Sequence, residues 1–191
     1  MVGAQGASLV KEKLLGGVAY GIINKSTKPV LVVPVEQRPG EGNACRVTRC
    51  SFSENILFAT DFSKMADNAF TYVERLVAGG ARKVTLVHVQ DQTRLEPHLK
   101  ARLEEFNEHD RGRLELLKQV LLKKGTPQID TEVCYGVPFE EITRLIRERN
   151  AQLVVMGTQG RGFVRELFLG SVSHHVVRHS VAPVLLIPAV R

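Results

Sequence analysis

The chain has 191 residues, 43% of them hydrophobic and 24% charged, with a formal net charge of +6. That length and balance suit one well-sized core, or one core plus a fragment, and no apolar run approaches the about 18–20 residues that a bilayer demands. The start lacks a basic stretch followed by an apolar one and a cleavage site, so no secretory signal is expected. The three cysteines, Cys45, Cys50 and Cys134, are odd in number, and the Cys45–Cys50 spacing fits neither a common zinc site nor a redox pair. Free thiols in a reducing cytoplasm are the expectation. The cations are scattered and alternate with acids such as Glu104, Glu105, Glu140, Glu141 and Glu148. They read as solvated helix faces rather than a nucleic-acid surface. Three tyrosines and no tryptophan offer no interleaved stacking platform.

Residues 1–35 repeat the end of the chain. Shifted by 154 residues, GAQGASLVKEKLLGGVAYGIINKSTKPVLVVP falls without a gap on GTQGRGFVRELFLGSVSHHVVRHSVAPVLLIP. Gly3 falls on Gly157, Gly6 on Gly160, Gly16 on Gly170, Val18 on Val172 and Pro29 on Pro183. Residues 1–35 therefore read as the last helix and last strand of a domain whose front is absent. Residues 36–53 hold Pro, Gly and Ser without apolar periodicity and read as a linker. A complete domain is expected over residues 54–189.

In that domain strands and helices alternate. NILFAT (55–60) reads as a strand, with Asp61 or Ser63 as the cap of a helix over 64–78. Gly79 and Gly80 stop that helix. KVTLVHV (83–89) is β-branched and reads as a buried strand. A long helix over about 100–123 and a strand over 128–136 follow. Pro138 opens the next helix, with Phe139, Ile142, Leu145 and Ile146 on one face and Glu140 and Glu141 in its first turn. AQLVVMG (151–157) is the fourth strand and PVLLIP (183–188) the fifth, with a helix between them over about 164–179. Five such strands joined by helices predict an α/β fold: a doubly wound five-stranded parallel sheet, Rossmann-like, sandwiched by helices. Ligands of such sheets bind beyond the carboxyl ends of the strands, where the strand order reverses. This points to Thr60, Asp61, Val89 and Met156 onward.

GTQGRG follows the fourth strand. Gly157, Gly160 and Gly162 let a ligand approach the backbone, and exposed amides in such a loop cradle an anion. The stretch is neither a P-loop nor a GxGxxG after a first strand. A helix starting at Ser171 instead of 164 would present free amides to a phosphate. Ser171 and Ser173 can add hydroxyls and Arg161 a charge. Tight turns alone explain the glycines equally well. His175 and His179 lie one helical turn apart, but no third ligand accompanies them, and they read as a solvated helix edge. Cys134 reads as a buried strand thiol.

The set ILFATDFSKMADNAFTYV, VTLVHV, YGVPFEEI, LVVMGTQGRGFVRELFLGSV and APVLLIP resembles the universal stress protein (UspA) family, in family order across residues 54–189. The G-x2-G-x9-G-[ST] pattern of Gly157, Gly160, Gly170 and Ser171 resembles its ATP-binding subgroup, within the adenine-nucleotide alpha-hydrolase-like folds. The resemblance implies ATP, ADP or AMP as ligand. It implies that Ala59, Thr60 and Asp61 contact the adenine and ribose side, with Val89 bordering the adenine through its backbone. Met156 and Gly157 would line base and ribose. Gly160 and Arg161 would approach the phosphates, which Gly170, Ser171 and Val172 would bind through amides and a hydroxyl. Mg²⁺ is expected with ATP phosphates, although no acidic cage is visible.

Residues 1–35 resemble the tail of a second copy. Gly17 stands where Ser or Thr is expected, and Asp61 and Val89 have no counterparts, so one complete site per chain is expected. Strand 29–34 is expected to pair with 184–188, within one chain or in a homodimer. The function implied is nucleotide-dependent regulation in stress response through an unidentified protein partner, with slow ATP hydrolysis at most. The alternatives are a nucleotide-free dimeric interaction module, against which the glycine pattern argues, and an ATP-using enzyme. The enzymes of this fold usually carry an SGGxDS-type loop where this chain has ATDFS.

Overall fold

A computed structural model describes residues 1–3, 15–37, 45–47, 53–95, 103–125, 127–160 and 169–189. In chain order the elements are β1 (Val2–Gly3), α1 (Gly17–Lys25), β2 (Val30–Val33), β3 (Val35–Gln37), β4 (Cys45–Val47), β5 (Asn55–Ala59), α2 (Lys64–Ala78), β6 (Lys83–Asp91), α3 (Gln92–Leu95), α4 (Leu103–Leu122), β7 (Gln128–Gly136), α5 (Pro138–Glu148), β8 (Leu153–Gly157), α6 (Ser171–His179) and β9 (Val184–Ile187).

The expected five-stranded parallel sheet is present as β9-β8-β5-β6-β7, and its strand order reverses at β5. It does not end there. β2 pairs antiparallel with β9, and β1 pairs parallel with β2, which makes seven strands in all. The five strands of residues 54–189 are all parallel, and the antiparallel junction arises where β2, from the repeat, meets its own counterpart β9. The expected pairing of 29–34 with 184–188 is made within one chain. Residues 36–53, expected as a plain linker, contribute β4 and most of β3, which pair antiparallel with Val35 opposite Val47.

Alternation along the strands divides the core into two layers. Leu57, Ala59, Val154, Met156 and Leu186 face α5 and α6, whose Ile142, Leu145, Ile146, Val176 and Val177 cover them. Ile56, Phe58, Leu153, Val155 and Leu86 face α2 and α4, which contribute Phe70, Val73, Val77, Leu114 and Leu121. Local signals set the helix ends. Ser63 caps α2 by accepting from the Ala66 amide, Gly80 leaves it at φ +95°, and Pro138 occupies the first position of α5.

The repeat is reproduced in geometry. α1 and α6 begin and end 154 residues apart (17 to 171, 25 to 179), as do β2 and β9 (30 to 184, 33 to 187). Val2 pairs with Val32 as Met156 pairs with Leu186. Gly16 and Gly170 cap their helices with similar dihedrals, φ −58°, ψ 142° and φ −67°, ψ 155°. Leu31 pairs with Leu185, its own counterpart, so a local two-fold passes between them.

Candidate functional site

β5 ends at Ala59, and the chain turns sharply there. The Thr60 amide donates to the Val87 carbonyl (2.9 Å), the Phe62 amide to Thr60 Oγ1 (2.9 Å) and the Ser63 amide to Asp61 Oδ1 (3.0 Å). Of the two candidate caps, Ser63 caps α2. Asp61 instead braces the turn with Oδ1, and its other carboxylate oxygen stands against Gly160: a Cβ added at Gly160 would lie 2.6 Å from Asp61 Oδ2. Gly160 is thus the residue that lets the loop after β8 close onto the end of β5.

β6 outruns β5. Val87 points its carbonyl toward β5, and two residues on Val89 repeats that orientation where β5 has ended. The Val89 backbone therefore borders the crevice. β8 contributes Met156 and Gly157. A Cβ on Gly157 would meet the Gln159 carbonyl at 3.1 Å and Met65 Cβ at 3.4 Å.

α6 supplies the third wall. Its first helical bond runs from the His174 amide to the Gly170 carbonyl (2.9 Å), so the amides of Ser171, Val172 and Ser173 form its open first turn. Its described start at Ser171 settles the two placements considered from sequence; residues 161–168, with Arg161, lie outside the described residues. Two sequence expectations are corrected here. The Gly170 amide donates to the Thr158 carbonyl (2.7 Å) and is spent on closing the loop rather than offered to a phosphate. The buried Ser173 hydroxyl donates to the Gly157 carbonyl (2.8 Å) and fastens α6 to β8. The Ser171 hydroxyl and the first-turn amides remain as the anion-receptive groups.

These walls enclose one cavity of about 670 Å³. Ala59, Thr60, Asp61, Val89, Met156, Gly157, Gly160, Gly170, Ser171 and Val172 all line it. Elements that come together at the point of strand reversal bring these positions into contact although they lie as far apart in sequence as Ala59 and Val172.

Sequence reasoning missed the fourth wall. Phe106, His109, Asp110 and Arg113 on α4, with Gln90 and Asp91 at the end of β6, also line the cavity. One signal was available: Phe106, Asp110, Leu114, Leu117 and Leu121 form a single helical stripe whose last three members enter the core, and Asp110 interrupts it. Asp110 is nevertheless largely buried, its side chain 13% exposed.

The other polar candidates have local roles. His179 Nδ1 lies 2.8 Å from the His175 carbonyl, and the His175 ring stacks on Phe139 (4.5 Å between centroids). Among the described residues no group of three or more His, Cys, Asp and Glu is placed to hold a metal. Cys134 is half-buried rather than buried; burial, then the Glu141 carboxylate, push its thiol above the ordinary value.

Residues 53–188 match the universal stress protein family. The universal stress protein MJ0577 of Methanocaldococcus jannaschii is 28% identical over 153 residues, 70% of this chain and 94% of that protein. Its solved structure aligns over 74% of this chain and 99% of its own with a TM-score of 0.67. UspA of Lactobacillus plantarum is 25% identical over 73% of this chain and 99% of that one, with a TM-score of 0.65. A longer universal stress protein of Archaeoglobus fulgidus is 29% identical and aligns with 97% of this chain but only 59% of its own, with a TM-score of 0.57.

Proposed function

Since the chain belongs to the universal stress protein family, we propose that it binds one adenine nucleotide in the cavity above β5 and β8 and acts as a nucleotide-dependent regulator in stress response. The observation that carries this reading is the convergence, on one cavity at the strand reversal, of the open first turn of α6, the Asp61–Gly160 contact and the apolar pair Val89 and Met156. In this reading Val89 and Met156 hold the base. Asp61 takes the ribose hydroxyls. The Ser171 hydroxyl and the amides of Ser171 and Val172 take the phosphates, and Arg161 adds its charge. ATP, ADP and AMP share these groups. Mg²⁺ arrives with ATP phosphates and neutralises their charge.

A universal stress protein solved in complex with cAMP has the same fold, at 21% identity and a TM-score of 0.56. That likeness bears on the fold; the reading for this chain rests on its own residues. The protein is read as a binder; its sequence offers no clear general base facing the phosphate region, so ATP cleavage, if it occurs, is read as slow. Residues 1–35 are read as the tail of a first copy. Support comes from the matched geometry of α1–β2 and α6–β9 and from the longer Archaeoglobus fulgidus relative. The β2–β9 pair then stands in for a dimer contact, and the site count stays at one. Among the described residues no helix is long and apolar enough to cross a membrane, and a cytoplasmic location is part of the proposal.

The test is to denature freshly purified protein and identify released nucleotide by chromatography and mass. AMP, ADP or ATP at about one per chain is the expected result. No released nucleotide, and no heat on titration with ATP or AMP, would turn the reading to an interaction module.

A further inference from the structure

The turn that carries Asp61 is clamped from one side by groups that the nucleotide reading does not use. His88 is 5% exposed, and its Nδ1 lies 2.8 Å from the Thr60 carbonyl, the peptide immediately before Asp61. A carbonyl only accepts, so Nδ1 carries the proton. His88 Nε2 then faces Asp110 Oδ2 at 3.4 Å, and Gln90 Nε2 donates to the same oxygen at 2.9 Å. Phe62 follows Asp61 at φ +58°, a left-handed conformation that a bulky residue rarely adopts. Its ring meets the His88 ring (4.5 Å between centroids) and the Arg113 guanidinium (3.8 Å from the ring centroid). β6 and α4 thus hold Thr60 and Phe62, the residues on either side of Asp61.

The arrangement has a proton requirement. With Nδ1–H committed to Thr60, a neutral His88 would present the Nε2 lone pair to the Asp110 carboxylate, acceptor against acceptor. The contact is favourable only if Nε2 carries a proton as well, the imidazolium then donating to the Asp110 carboxylate. We infer that Asp110 and His88 are positioning residues that hold Asp61 in the cavity, and that they do so only while His88 carries that second proton. The inference rests on the nucleotide-binding reading only for the identity of the ligand. The other charged or titratable groups around the pair are His109 and Arg113 on α4, Asp61 on the turn and Asp91 at the end of β6. Loss of that proton releases α4 from the turn, so affinity is full at low pH and falls as pH rises and the His88 imidazolium is lost.

The experiment follows the Asp61 amide and the His88 ring nitrogens of the full chain by NMR from about pH 5.5 to about pH 8.5, the range in which histidines change charge. It is done without ligand, in wild type and in Asp110→Asn. The Asn amide donates to a neutral imidazole, so this variant closes the same contact with no extra proton. AMP and adenosine are titrated in parallel, adenosine because it has no titrating group in that range. In wild type the Asp61 amide should move with the same midpoint as His88, and both affinities should weaken about tenfold toward high pH. In Asp110→Asn the Asp61 response should vanish and the affinity should stay at the low-pH level throughout. His88→Gln, which keeps a donor for Thr60, should flatten the profile too and serves if Asp110→Asn does not fold. An Asp61 amide indifferent to His88, or a slope that survives both variants, overturns the inference and leaves nucleotide binding standing. A coupled Asp61–His88 titration in a protein that binds neither AMP nor adenosine overturns the nucleotide reading and leaves the positioning role standing.

Discussion

The chain contains one local pattern twice, and the two copies meet different surroundings. α1–β2 and α6–β9 share boundaries, register and cap geometry under the 154-residue shift. Val176 on α6 is fully buried beneath α5, whereas Ile22, its counterpart on α1, is 42% exposed; Val18, the counterpart of Val172, is 79% exposed. The local sequence is enough to make the helix, its cap and the strand after it. It is not enough to make a site. The α6 copy becomes a cavity wall because β5, β6 and α4 stand opposite it. Among the described residues, the α1 copy has no counterpart of Asp61, Val89 or Asp110 in front of its N-terminus.

The largest expected effect tests that distinction at a glycine. Gly160→Val places a carbon 2.6 Å from Asp61 Oδ2, too close to stay, and so displaces the carboxylate. Affinity for AMP by calorimetry should fall about 100-fold, near the worth of a lost charge-assisted hydrogen bond. Gly6→Val, at the matching repeat position, should leave the affinity unchanged. Equal losses would mean that both copies hold ligand and that the asymmetry argued from the missing partners is wrong.

The next effect concerns stability. Val176→Ala opens a cavity in the layer between sheet and helices and should cost about 2 kcal/mol. Ile22→Ala removes a larger side chain from the same repeat position, yet should stay within about 0.5 kcal/mol because that surface already meets water. Urea midpoints at matched slopes measure both. A loss at Ile22 as large as that at Val176 would show that the α1 face is covered in solution, by another copy or by a segment outside the described residues.

Much of this was legible in the sequence, for physical reasons that vary by residue. The strand of Asn55–Ala59 and the helix of Lys64–Ala78 follow from an apolar run, a Ser63 cap and a Gly-Gly stop, all local signals. The repeat announced the β2–β9 contact because a strand with an apolar face demands a neighbour. What stayed hidden depends on hydrogen bonds between distant segments. No pattern says that the Gly170 amide is taken by Thr158, or that the Ser173 hydroxyl reaches back to Gly157. The β3–β4 pair carries too few residues for a period to show. The α4 wall was missed because an acid within a charged helix looks solvated; only the leucines that continue its stripe mark Asp110 as inward-facing.

The smallest effect lies where the two copies touch. His174 stands at the repeat position of Tyr20, and their rings meet edge to face with centroids 6.2 Å apart. Partial burial, then Arg178, His175 and His179, hold the His174 imidazole below its ordinary value. Its folded value therefore lies under its unfolded one. The stability linked to the neutral ring is complete above the unfolded value, near 6.5, and is lost as pH falls through the lower folded value. Replacing His174→Tyr copies the partner ring, keeps the edge contact and removes the titration. Melting temperature should then decline less steeply than in wild type below about pH 6.5, by an amount worth well under about 1 kcal/mol because solvent screens a half-exposed ring. At neutral pH the two proteins should melt together. A variant that melts lower at every pH would mean that His174 contributes packing rather than charge at the junction. An unchanged acid limb would show that the His174 ring does not set it.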